Sequence, residues 1–161
     1  MKLIYTCSRI GLFTMAVSLL SISAVAQEKK ITAKDVPAAV ISAFKSAYPK
    51  ATIRGYAQEK ENGKTLYEIE SREGSMTRDI LYNPDGTVAE IEESIATSDL
   101  PADALQAIKQ KYPRAVITRA EKTIVKDPAG DKIGYEVSAR QGRKRFAMEF
   151  DENGKVKSKA Q

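Results

Sequence analysis

The residues best suited to chemistry are charged side chains that alternate along strand-like stretches. Arg119, Arg140, Arg143, Lys144 and Arg145 gather in the second half of the chain, with Glu136 among them. Guanidinium groups present fixed forks of N–H donors, so this set suits phosphate or carboxylate groups. Glu68, Glu70 and Asp79 form an opposite set earlier in the chain. Those carboxylates suit a basic partner, or the basic face of another copy. Both sets suit recognition by charge; neither contains a nucleophile beside a base.

Composition narrows the chemistry further. Cys7 is the sole cysteine, and the chain has no His and no Trp. Cys–His and Ser–His catalysis are therefore excluded. Zinc, which draws most of its ligands from Cys and His, is not expected. No Ser-x-x-Lys stands where a pocket is expected. The oxygen-rich stretches Asn83-Pro84-Asp85-Gly86 and Asp151-Glu152-Asn153-Gly154 lack the twelve-residue calcium loop with its closing Glu, and they read as backbone turns. No catalytic residues, metal or cofactor are expected, and the chain is not read as an enzyme.

The leader has the form of an export signal. Lys2 and Arg9 make a positive start, residues 10–23 are apolar and uncharged, and Ala24-Val25-Ala26 supplies a cleavage site after Ala26. The apolar run is shorter than the roughly 18 residues of a spanning helix. Cys7 precedes that run, where it cannot serve as a lipoprotein acylation site. The mature chain from Gln27 then has no cysteine, so no disulfide staples it. Its roughly 135 residues can bury a core unaided. The expected compartment is the periplasm or the exterior, with no membrane anchor after cleavage and no nucleic acid as partner.

Charge is divided along the mature chain. Residues 27–99 carry 10 basic and 13 acidic side chains, and residues 100–161 carry 14 and 8. The basic half can steer an acidic partner, anionic lipid or a polyanion, and the alternative to protein recognition is a small-ligand or polyanion binding protein that uses this basic second repeat.

An internal repeat gives the elements that must position these charges. Val36-Pro37-Ala38 returns as Leu100-Pro101-Ala102, and Ala47-Tyr48-Pro49-Lys50-Ala51 as Lys111-Tyr112-Pro113-Arg114-Ala115, at an offset of 64. Tyr67-Glu68-Ile69 returns as Tyr135-Glu136-Val137, and Asp85-Gly86-Thr87-Val88 as Asn153-Gly154-Lys155-Val156, at an offset of 68. A four-residue insertion near residues 126–130 reconciles the two offsets. Ordered recurrence of this kind marks a duplicated unit.

Each unit reads as a helix followed by strands. Val36, Val40, Ile41, Phe44 and Tyr48 recur at helical spacing, with Asp35 expected to cap and Pro37 to open the first turn. Leu100, Leu105, Ile108 and Tyr112 repeat the pattern, with Ser98 or Asp99 as cap. Pro49 and Pro113 stop the helices. Strands are expected over 51–58, 65–72, 76–82 and 87–95, and again over 115–125, 132–140, 143–150 and near Val156, with Asn62-Gly63 and Glu73-Gly74 as turns. The fold expected is α+β: two tandem repeats, each one helix followed by a four-stranded antiparallel sheet, with the helices on one sheet face. A leader over 1–26, a linker over 27–35, and repeats over 36–97 and 98–161 divide the chain.

Val36-Pro37 and Leu100-Pro101, the two Tyr-Pro helix ends, the two Tyr-Glu-Ile/Val strands and the Asp85-Gly86 and Asn153-Gly154 turns together resemble the PepSY-like family of exported proteins. The family's fold is similar to that of the tandem-repeat beta-lactamase-inhibitor protein. The resemblance implies a non-enzymatic binding or inhibitory module of the cell envelope, recognising a protein or peptide through its open sheet face. It also implies a link to envelope proteases as an inhibitor or sensor. It carries over no catalytic set. The inhibitor is braced by disulfides, and the mature chain here has no Cys.

Overall fold

The computed structural model describes residues 28–61 and 63–159. The expected signal peptide with its cleavage site, and Asn62 of the first hairpin turn, lie outside the described residues. Among the described residues nine strands form one antiparallel sheet in the order of the chain. They are β1 (Lys29–Lys30), β2 (Thr52–Glu61), β3 (Lys64–Glu73), β4 (Met76–Tyr82), β5 (Val88–Ser94), β6 (Val116–Val125), β7 (Lys132–Gln141), β8 (Lys144–Asp151) and β9 (Val156–Lys159). Helix α1 (Ala38–Ala47) precedes β2, and α2 (Ala102–Lys111) precedes β6. Pairing of β5 with β6, from Glu90↔Val125 to Ser94↔Glu121, makes the sheet continuous across the chain. The stretch expected as a linker supplies β1, which pairs Lys29 with Gln58 and Lys30 with Ala57.

Both helices begin differently from expectation. Pro37 and Pro101 are themselves the N-cap residues. Their carbonyls accept from Val40 and Ile41, and from Ala104 and Leu105. Asp35 instead closes a 3-10 turn (Ala33–Asp35) and accepts from the Thr32 amide at 3.0 Å and the Thr32 hydroxyl at 2.7 Å. Ser98 and Asp99 lie in the matching 3-10 turn (Thr97–Asp99). Val36 and Leu100 stay extended between turn and helix, and both are buried. Anchoring those side chains fixes each helix's entry, and proline's fixed φ at the following position suits that extended entry.

The helical stripes reach one face of the sheet. Val36, Val40 and Phe44 pack with Ile69, Ile80 and Tyr82, while Leu100, Ala104 and Ile108 pack with Val137, Met148 and Phe150. Register puts the two clusters on the same side. Ile69, Ile80, Ile91, Ile124 and Ile133 are successive cross-strand partners. Ala120, four residues before Ile124 and so on its side of β6, belongs to the α2 cluster. Each buried large side chain contributes about 1.5–3 kcal/mol relative to exposure. Tyr48 and Tyr112 end the two helices and pack against the cores, Tyr112 stacked on Phe146 with ring centres 3.8 Å apart.

Candidate functional site

The opposite face of the sheet meets no helix among the described residues. Strand alternation places Glu68, Glu70, Asp79, Glu92, Glu121, Glu136, Ser138, Arg140, Arg145 and Ala147 on it, because these residues are cross-strand partners of one another or stand an even number of residues apart. Glu68, Glu70 and Asp79 of the acidic set thus share one surface with Glu136, Arg140 and Arg145 of the basic set.

Its centre is a carboxylate cluster spanning the seam between the halves. Asp79, Glu92 and Glu121, from β4, β5 and β6, each bring one carboxylate oxygen within 4.8 Å of the others. Arg119 supplies the positive charge there. Its guanidinium donates to Asp79 Oδ2 at 3.1 Å and pairs with Glu121 Oε1. Glu121 is 4% exposed. Burial, only partly offset by the Arg119 charge and reinforced by Glu136 and Asp79, pushes its carboxyl up. Burial, then the charges of Glu121, Glu90, Glu136 and Asp79, push Glu92 up to about 8. A second set, Glu28, Glu68 and Glu70, has the same close oxygen spacing. Burial, followed by the charge of Asp79 and of neighbouring glutamates, pushes Glu68 up to about 7. Hard cations favour such oxygen groups, and in the first set a guanidinium already fills that electrostatic role.

The basic set divides. Arg119 joins the acidic cluster, so it is not part of a patch with Arg140 and Arg145. Arg140 and Arg145 face each other as direct cross-strand partners on β7 and β8. Arg143 is in the turn between those strands, and the Lys144 ammonium stands 5.7 Å from the Tyr112 ring centre. Arg140 and Arg145 border a cavity of about 560 Å³, whose other lining includes Thr118, Ser138 and Ala147. Thr118 reaches it through an irregularity in β6 between Ile117 and Arg119, and its hydroxyl donates to the Ser138 carbonyl at 3.1 Å. Glu136 lies between the two regions.

Glu92, Glu121 and Thr118 escape recognition in the sequence alone. Alternation of Glu90 with Glu92, and of Arg119 with Glu121, shows that they share faces of their own strands. Only the β5–β6 pairing brings Glu121 to Asp79 and Glu92. No local pattern announces the extra residue in β6.

The model of the beta-lactamase-inhibitor-like, PepSY-like family matches residues 23–89 and again 65–158. Solved structures agree on the fold. A beta-lactamase-inhibitor-protein-like protein of Bacteroides fragilis aligns with a TM-score of 0.54 and 19% identity, over 77% of this chain and 84% of its own. A DUF2874 family protein of Bacteroides uniformis aligns with a TM-score of 0.57 and 16% identity, over 76% of this chain and 87% of its own. A Bacteroides eggerthii protein assigned to the periplasm gives 0.56 and 17%, over 76% and 86%. No curated protein matches the chain. Among the described residues no helix is long and apolar enough to cross a membrane. Two family matches that together span the chain from residue 23 to 158 make the assignment plain: the chain belongs to the beta-lactamase-inhibitor-like, PepSY-like family.

Proposed function

We propose that the chain is an exported, non-enzymatic binding module made of two PepSY-like units, residues 36–97 and 98–161, each a helix followed by four strands. Its open sheet face recognises an envelope protein or peptide, with inhibition of that partner as the consequence of covering it. One observation carries this reading. Both helices pack on the same face, leaving the other face of a nine-stranded sheet uncovered by any described element, with its charged side chains sorted into an acidic centre and a basic corner. Sorted charge of this kind orients a partner and sets the rate of encounter. The leader over 1–26 and the periplasmic assignment of a protein of similar fold support export.

The test is capture from the native envelope fraction with the mature protein as bait, beside a variant reversed to Glu at Arg140, Arg143, Lys144 and Arg145. A partner held by the wild type in 0.3 M salt and lost with the variant supports a packed protein interface using the basic corner. Retention that collapses with modest salt points instead to a polyanion on the basic half. Equal capture by both proteins removes the basic corner from the site.

A further inference from the structure

We infer that the cavity between Arg140 and Arg145 is a carboxylate-binding subsite. It takes an acidic side chain or chain-terminal carboxylate of a peptide ligand. This deepens the reading of the open face as a binding surface by naming the chemistry of one contact.

The two halves, compared rung by rung, carry the inference. Cross-strand pairs recur at an offset of 68: Tyr67↔Tyr82 with Tyr135↔Phe150, Glu70↔Asp79 with Ser138↔Ala147, and Arg72↔Thr77 with Arg140↔Arg145. The irregularity in β6 between Ile117 and Arg119 recurs in β2 between Ile53 and Gly55, at the offset of 64. The backbones therefore correspond, and the side chains can be exchanged between them.

In the first half the space above this rung belongs to the protein's own carboxylates. Glu70 lies directly over Gly55, so closely that a Cβ on Gly55 would stand 2.9 Å from its carboxylate. Asp79 is its cross-strand partner and receives Arg119. In the second half Glu70 is replaced by Ser138 and Asp79 by Ala147. Both carboxylates are gone, and the cavity of about 560 Å³ stands over the rung. That size lies in the range of ligand pockets. Arg119, which takes the place of Gly55, does not refill it, since its guanidinium is held by Asp79 and Glu121.

The next rung moves in the opposite direction. Arg72↔Thr77 becomes Arg140↔Arg145, two arginines directly opposite each other in the register. Like charges in that relation are destabilising. In the first half the Arg72 Nε–H donates to the Gly74 carbonyl at 2.9 Å. Arg140 and Arg145 make no ion pair or side-chain hydrogen bond with the described residues. So one half fills the position with carboxylates, and the other empties it and places two exposed guanidinium forks at its rim. A carboxylate fits forks of this geometry bidentately. Ser138 lines the same cavity, while the Thr118 hydroxyl proton is already committed to the Ser138 carbonyl.

The test titrates the folded protein with N-acetyl-tetraglutamate amide and follows by NMR the backbone amide signals of Ala139 and Phe146, which line the cavity in every variant, together with the Nε–H signals of Arg140 and Arg145 where those side chains are present. Tetraglutamine and inorganic phosphate are run in parallel. Two variants accompany the wild type: R140A/R145A, which removes the exposed forks, and S138E/A147D, which installs the residues the first half carries on the same rung. Saturable shifts at both arginines of the wild type with tetraglutamate but not tetraglutamine are expected, with the affinity read from the amide signals at least tenfold weaker in each variant. No shift at millimolar peptide would overturn the subsite. So would equal shifts with phosphate, or unchanged binding by S138E/A147D. Tetraglutamate binding without any envelope capture would remove the protein-partner reading and leave this subsite standing; capture without tetraglutamate binding would do the reverse.

Discussion

Arg119 and Asp79, forty residues apart in the chain, are joined across the seam of the sheet at 3.1 Å, with the guanidinium also paired to Glu121. Asp79 belongs to β4 and Arg119 to β6, so the bridge passes over β5 and ties the two halves on the face away from the helices. Glu121 is the buried member, and its partner is what makes its burial tolerable.

Arg119→Ala should therefore destabilise the protein by about 1–3 kcal/mol, the range for leaving a buried polar group without its partner. Arg119 is itself about half exposed, which keeps the loss below that of a fully buried pair. Urea midpoints of wild type, R119A, E121Q and the double variant check this. Glu121→Gln should recover part of the loss in the R119A background. A change under about 0.5 kcal/mol for R119A would mean that the pair contributes nothing beyond an ordinary surface contact.

Crowded carboxylates give the fold a pH dependence of definite sign. Glu92 is pushed from an ordinary 4.5 up to about 8, first by burial and then by Glu121, Glu90, Glu136 and Asp79, with Arg119 as the cation among them. Lys157 lines the same hollow as Glu92, Glu136 and Glu149. The folded state holds this proton more tightly than the unfolded chain. The resulting stability is complete below about pH 4.5 and is lost as pH rises through about 8. Glu68, pushed up to about 7, adds to the same slope. Between pH 5 and 8 the wild type should lose stability, while Glu92→Gln should lose less and be more stable at pH 8 by about 1–2 kcal/mol, a value discounted for partial exposure. Chemical denaturation at both pH values measures this. An E92Q variant with the wild-type slope would show that Glu92 ionises without penalty.

Much of the molecule was legible in the chain, for reasons that differ by residue. Val40 with Phe44, and Leu100 with Ile108, declare a helical stripe through spacing alone, and the stripe is what the sheet buries. Asp35 reads as a helix cap because a capping residue and a turn residue look alike in sequence; in the fold its carboxylate accepts from Thr32, three residues upstream. Alternation revealed which charges share a strand face but not which strand lies beside which. Alternation alone therefore groups Arg119 with Arg140 and Arg145, whereas β5–β6 pairing delivers it to Asp79 and Glu121. The cavity was hidden for a similar reason. It is defined by the small size of Ser138 and Ala147, and small residues give no local signal of a space above them.

Tyr82 gives a test of the core. It is 1% exposed, and its hydroxyl has no hydrogen-bond partner among the described residues. Burial, with the Tyr48 charge in the same direction and Arg78 opposing, pushes it up to about 12. An unpaired buried hydroxyl carries a desolvation cost with nothing to offset it. Tyr82→Phe keeps the ring and removes that cost, so it should leave stability unchanged or raise it by up to about 1 kcal/mol. A loss of more than about 1 kcal/mol in thermal or urea unfolding would place a partner at that hydroxyl.

Gly154 locks the β8–β9 turn beneath α2, and its replacement should be the most damaging single methyl in the second half. It has φ +82°, in the left-handed region where a Cβ is disfavoured. A Cβ there would also stand 2.7 Å from the Ala104 amide nitrogen and 2.8 Å from Pro101 Cβ, both at the start of α2. Neither atom is the end of a flexible chain, so the turn or the helix must move. Gly142 offers the control. Its φ is +61°, equally left-handed, but nothing lies within 4 Å of the position a Cβ would take. Gly142→Ala should cost about 1 kcal/mol from backbone conformation alone, while Gly154→Ala adds the clash and should cost about 2–4 kcal/mol. Thermal unfolding of the two variants side by side separates backbone strain from helix contact. Equal losses would mean that the turn shifts away from α2 without penalty, and that the packing of turn against helix does little to hold the second half together.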